Sequence, residues 1–161
     1  MPSCLNLPGT PVVRKAEPKD FPEIRYLFDT YSSGVYGFVP HARIKTQMDK
    51  GGLWVVEIKG EIAAAAIGKE GGTLWNLLVN PLYRHQHLGS LLMVTVQPEK
   101  IRVKCRPHKG MSRSERSRFV DPTPFYEKLG YVFERWDYPR SVQLGRTAGS
   151  FKGRVVGKGE S

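Results

Sequence analysis

LWNLLVNPLYRHQHLGSLLM, residues 74–93, sets three kinds of local structure side by side. The apolar run Leu74 to Val79 has strand length and ends at Asn80-Pro81, where proline cannot extend a ladder. Tyr83-Arg84-His85-Gln86-His87 is a polar turn, and Leu88-Gly89-Ser90-Leu91-Leu92-Met93 opens a second apolar segment. The whole reads as a buried strand, a tight loop and the start of a helix. At such a junction the first-turn N–H groups have no intrahelical partner and carry the positive end of the helix dipole. A pyrophosphate suits them, and Gly89 and Ser90 are small enough to let one approach the backbone.

At these residues the chain resembles the GNAT superfamily of acyl-CoA-dependent N-acyltransferases. That family's cofactor motif is Arg or Gln, two residues, Gly, one residue, then Gly or Ala. Arg84, Gln86, Leu88 and Gly89 fall in register with it, while His87 stands at the first glycine position. Downstream, Pro124-Phe125-Tyr126-Glu127-Lys128-Leu129-Gly130-Tyr131 is similar to the family's late F-Y-E-K-L-G-F signature. The resemblance covers residues 11–144. It implies an α/β (α+β) domain whose central, mostly antiparallel sheet has six or seven strands and about four flanking helices. Leu74–Val79 and Lys100–Arg106 would form a parallel pair, splayed to admit the cofactor. The activity implied is transfer of an acetyl group from acetyl-CoA to a primary amine, by direct attack in a ternary complex.

The resemblance also implies roles. Leu77, Leu78 and Val79 would offer backbone groups to the pantetheine arm, paired like an added strand. An N–H near Val79 would bind the thioester oxygen. Arg84, His85, Gln86, His87, Leu88, Gly89 and Ser90 would cradle the pyrophosphate, and a left-handed backbone at His87 would be costly, though less so for histidine than for most residues. Tyr126 matches the general acid: a phenol of pKa ~10 keeps its proton at neutral pH for a departing thiolate. The plainer alternative is that Phe125 and Tyr126 pack a short helix on the sheet. For the general base, Leu74 to Val79 holds no carboxylate. Asn76 could hold a relaying water, and Glu70 or Asp121 could lie close in space. Tyr36, Phe38 and His41 fall where the family builds one wall of the acceptor site, although Tyr36 and Phe38 could equally cover the core. His85 and His87 have a spacing found at metal sites, but nothing supplies further ligands, so no metal is expected. Cys105 reads as a strand residue rather than a nucleophile.

The 161 residues suit one domain. No apolar run approaches the ~20 residues of a membrane span, and the N-terminus lacks a charged region followed by an apolar one. Cys4 and Cys105 are too few for a disulfide framework, which suggests free thiols in the cytoplasm. The net charge of +10 is concentrated locally. Lys100, Arg102, Lys104, Arg106, Lys109, Arg113, Arg116 and Arg118 face only Glu99 and Glu115 over 98–118. Such a stripe reads as a binding face for an anionic acceptor, with Arg102 and Lys104 as substrate contacts. An acidic peptide or protein, or a nucleic acid, would be attracted. Two rival readings stand beside this one. The amine could lie on a modified base or an aminoacyl-tRNA, or the chain could be a non-catalytic module binding CoA or nucleic acid. The oligomeric state, a homodimer included, is left open.

Around this centre the remaining elements follow. Residues 1–10 form an irregular lead-in, and a first strand is expected over Pro11–Glu17. Asp20 and Glu23 have capping-box spacing ahead of a helix ending near Ser33-Gly34. A second helix runs from Pro40 to Lys50, stopped by Gly51-Gly52. Leu53–Ile58 and Ile62–Ile67 form a hairpin across Lys59-Gly60-Glu61. Alanines 63–66 are assigned to strand because a helix packed above them needs small residues. A helix from about His87 to Gln97 is halted by Pro98. Lys100–Arg106 alternates as a strand with one buried and one cationic face. Residues 107–122 are expected to be loop. Thr123-Pro124 starts a short helix closed by Gly130, Tyr131–Trp136 and Ser141–Leu144 close the sheet, and 145–161 form a basic, glycine-rich tail.

Overall fold

Alternation along the chain builds one seven-stranded sheet. The computed structural model describes residues 9–32, 39–68, 72–107, 110–138 and 141–146. The strands are β1 (Val12–Lys15), β2 (Leu53–Ile58), β3 (Glu61–Gly68), β4 (Thr73–Val79), β5 (Lys100–Lys104), β6 (Tyr131–Tyr138) and β7 (Ser141–Arg146). Their order is β1-β2-β3-β4-β5-β7-β6, and every pairing is antiparallel except β4 with β5. The helices are α1 (Phe21–Tyr31), α2 (His41–Lys50), α3 (Leu88–Val96) and two of six residues each, α4 (Arg113–Arg118) and α5 (Thr123–Lys128). The mixed sheet and its parallel pair are those the sequence implies. Among the described residues no helix is long and apolar enough to cross a membrane.

Each face of the sheet carries its own core. On one, Ile24, Leu27 and Phe28 of α1 and Ile44 of α2 meet Leu53, Val55, Ala65, Ile67 and Leu78. On the other, Leu88, Leu92 and Met93 of α3 and Tyr126 of α5 meet Val56, Ala64, Ala66, Leu74, Ile101 and Val103. Ala63 to Ala66 are fully buried in β3, since methyl groups let helices on both faces approach the strand. Leu92 is likewise fully buried, and truncating it to alanine would cost about 2–5 kcal/mol.

Several local expectations shift. The Asp20 carboxylate does not cap with Glu23. It accepts the Glu17 N–H at 2.7 Å, closing a 3-10 turn over Pro18–Asp20, and pairs with Arg14 at 2.7 Å. The Arg14 guanidinium holds the Asp20 carboxyl below its ordinary pKa. Glu23 instead accepts the Ile62 N–H at 2.7 Å, tying α1 to β3. Residues 113–118 of the expected loop are helical, because Ser112 and Glu115 form a capping box that the run of arginines obscures. β5 stops at Lys104, and β7 extends two residues further, to Arg146.

Candidate active site

The pairing of β4 with β5 is brief. Thr73 lies opposite Lys100 and Leu74 opposite Ile101, and no further register follows. The cause lies on the other side of β4. Gly68 of β3 faces Leu74 but Ile67 faces Asn76, so Trp75 is an extra residue, a β-bulge. A bulge bends its strand and reverses side-chain parity beyond it. Leu74 and Leu77 therefore pack on the α3 side, while Leu78 packs among α1 and α2. Gly68 is needed opposite the bulge, since a Cβ there would come within 2.8 Å of the Leu74 Cα.

Beyond the bulge β4 and β5 diverge around a cleft lined by Trp75, Asn76, Leu77, Arg102, Lys104 and Tyr126, among others. The backbone at this edge has an assigned direction. The Asn80 N–H bonds the Ala63 carbonyl at 2.9 Å, and Ala64 faces Val79. Because hydrogen-bonded pairs alternate along an antiparallel ladder, Leu78 also bonds toward β3. Leu77 and Val79 therefore turn their N–H and C=O groups toward the gap, where no strand among the described residues pairs with them.

The loop entering α3 is pinned at its start. Asn80 Oδ1 accepts the Leu82 N–H at 2.9 Å, and the Tyr83 hydroxyl donates to Glu61 at 2.7 Å. His85 and His87 both take positive φ, 65° and 59°. The position that resembles the family's first glycine thus takes a left-handed backbone with histidine in it. Leu91 N–H makes a helix bond to His87 C=O at 3.0 Å, so Leu88, Gly89 and Ser90 supply the first-turn N–H groups. Arg84, His85, Gln86 and His87 are exposed around them.

Gly89 has a further constraint. A Cβ there would lie 3.2 Å from the Phe125 ring and 3.6 Å from Leu77. The first turn of α3 therefore rests on α5, next to Tyr126. Tyr126 is 6% exposed and stacks edge-on with Phe125 at 5.0 Å. Burial pushes its phenol well above its ordinary pKa. Phe125 contacts Gly89 while Tyr126 reaches the cleft, so packing and cleft-lining fall to different rings.

Asn76 is 6% exposed, and its Oδ1 accepts from Arg43 of α2 at 3.4 Å. Arg43 carries no signal in the sequence beyond standing on a polar helix face. Asp121 accepts the Thr123 N–H at 2.9 Å and so starts α5. His41 Nε2 lies 2.9 Å from Asp29, bridging α1 and α2. Lys100 is bound to Glu134 at 2.8 Å, part of the basic stripe being satisfied internally. Arg106 lies 4.8 Å over the Trp136 ring. Burial raises the Cys105 thiol pKa. Tyr36, Phe38, Glu70 and Lys109 lie outside the described residues.

Residues 49–133 match the family model described as Acetyltransferase (GNAT) domain. Among solved structures, Ard1 from Thermoplasma volcanium superposes with a TM-score of 0.60 at 16% identity, over 84% of this chain and 96% of that one. Arabidopsis thaliana Naa50, in complex with the bisubstrate analogue CoA-Ac-MVNAL, gives 0.61 at 13% identity, over 85% and 98%. The PaiA N-acetyltransferase from Thermoplasma acidophilum, in complex with coenzyme A, gives 0.56 at 14%, over 86% and 99%. No curated protein matches by sequence.

Proposed function

The chain belongs to the GNAT acetyltransferase family, and from that premise we propose that it moves an acetyl group from acetyl-CoA to a primary amine in a ternary complex. The observation that carries this reading is the gap between β4 and β5, with outward backbone groups on one side and the buried Tyr126 on the other. Leu77 and Val79 pair with the pantetheine arm as an added strand would, and the Val79 N–H holds the thioester oxygen as charge develops on it. The N–H groups of Leu88, Gly89 and Ser90, with Arg84 and the His85–His87 backbone, hold the pyrophosphate. Complexes of two fold relatives with coenzyme A or a CoA–peptide analogue support this choice of co-substrate.

Acetyl-CoA supplies a thioester, whose C–S bond breaks as the amine nitrogen bonds to the carbonyl carbon. Tyr126 gives its proton to the departing sulfur, and burial keeps that proton in place far above neutral pH. Among the described residues no carboxylate lines the cleft, and Asp121 is engaged at α5. The amine's proton passes to water in the cleft. Arg102 and Lys104 in the lining favour an anionic acceptor, an acidic peptide or protein before a nucleic acid. The test is release of CoA thiol across amine classes, with mass spectrometry of the product. Thiol release with a +42 Da adduct on an amine is expected; acetyl-CoA binding without transfer to any amine would reduce the chain to a binding module.

A further inference from the structure

We infer that Arg43 and Asn76 form a carboxylate-reading subsite, so that the acceptor bears a carboxylate close to its amine; this rests on the transfer reading above. Asn76 is nine-tenths buried on β4, just past the bulge. Burying an amide is costly unless its atoms are satisfied. The Arg43 guanidinium occupies its oxygen at 3.4 Å, which turns Nδ2 outward as a donor with no partner among the described residues. The remaining N–H groups of Arg43, exposed on α2, lie alongside. Both side chains thus offer donors here, and Lys104 adds positive charge across the gap. One guanidinium and one amide N–H match the two oxygens of a single carboxylate. A phosphate backbone would instead call for the Lys100, Arg102 and Lys104 row, whose first member is already bound to Glu134.

The source of the carboxylate is either an acidic side chain next to a peptide's N-terminal amine or the α-carboxylate of a free amino acid. The experiment measures kcat/KM with acetyl-CoA on matched acceptors: peptides with Glu against Gln near the N-terminus, and a free amino acid against its amide. A short RNA strand is added as competitor. Wild type should prefer the carboxylate member of one pair by at least about tenfold, with the preference shrinking as salt rises. Arg43→Gln should bring the ratio near unity, Arg43→Lys should keep most of it, and Arg43→Glu should invert it. Asn76→Asp, which pairs with Arg43 in place, should abolish it. An unchanged ratio in Arg43→Gln, or stronger inhibition by RNA than by carboxylate peptides, overturns the subsite. If acetyl-CoA binds but nothing is acetylated, the transfer reading falls. The subsite is then judged by fluorescence anisotropy of a labelled Glu peptide on the CoA-loaded protein, where Arg43→Gln must weaken binding by the same factor.

Discussion

The loop entering α3 and the helix α5 touch at Gly89 and Phe125, yet they are secured in opposite ways. The loop is exposed from Arg84 to His87, held in two left-handed turns, and offers mainly backbone N–H groups. The helix contributes a buried side chain set in the larger core. Binding by backbone, as proposed for the loop, depends on chain geometry and tolerates many side chains, whereas the proton transfer proposed for Tyr126 depends on one hydroxyl. Substitutions should therefore separate the two regions by size of effect.

The largest effect should come from Tyr126→Phe, which keeps the ring and deletes the proton. Turnover should fall on the order of 10²-fold or more while acetyl-CoA still raises the melting temperature. Full turnover would make α5 a packing element only. Gly89→Val attacks the contact between the regions, because its Cβ would press on the Phe125 ring. Turnover and acetyl-CoA affinity should both drop, roughly tenfold or more. Adding Phe125→Leu should recover part of that loss, a coupling of about 0.5–3 kcal/mol in a double-mutant cycle. Additive losses would place the clash elsewhere.

A pH profile sharpens the contrast further. The folded Tyr126 phenol titrates above its unfolded value, so the stability linked to its neutral form is fully present below about pH 10 and is lost as pH rises beyond that. The descending limb of kcat should likewise lie above about pH 10 in wild type. A limb near neutrality that vanishes in Tyr126→Phe would contradict the buried phenol. The smallest effect belongs to His87→Gly, which relieves a left-handed histidine. Stability should rise by no more than about 1 kcal/mol, and acetyl-CoA affinity, read by calorimetry, should stay within about threefold. A larger loss would mean that the imidazole itself holds the phosphates.

The same contrast explains what could be read before the structure. Buried strands declare themselves in the sequence: Leu74 to Val79 by an apolar run, the alanines of β3 by small size within a hairpin, and Ile101 with Val103 by alternation. α4 did not, because its only signal is the Ser112–Glu115 box within a run of charge. The capping box at α1 was misplaced because Asp20 has two suitable partners in sequence, and the Arg14 pairing that decides between them is a tertiary contact. Within the candidate site, Arg84 to Ser90 and Tyr126 were singled out by their resemblance to the family's two motifs. Arg43 on α2 was not, since its partner Asn76 lies across the fold on β4.

The extra residue at Trp75 has a consequence that concerns how such proteins diverge. Along a strand every position has odd or even parity, and a point substitution leaves that parity alone. A one-residue insertion is a dislocation: it exchanges inside for outside for everything downstream and cannot be undone by altering any one side chain. Substitution within the cleft can thus change its lining, but a length change in β4 is what would move or erase the cleft. Among lineages that share this sheet, acceptor preference should drift freely while strand length around the bulge stays frozen.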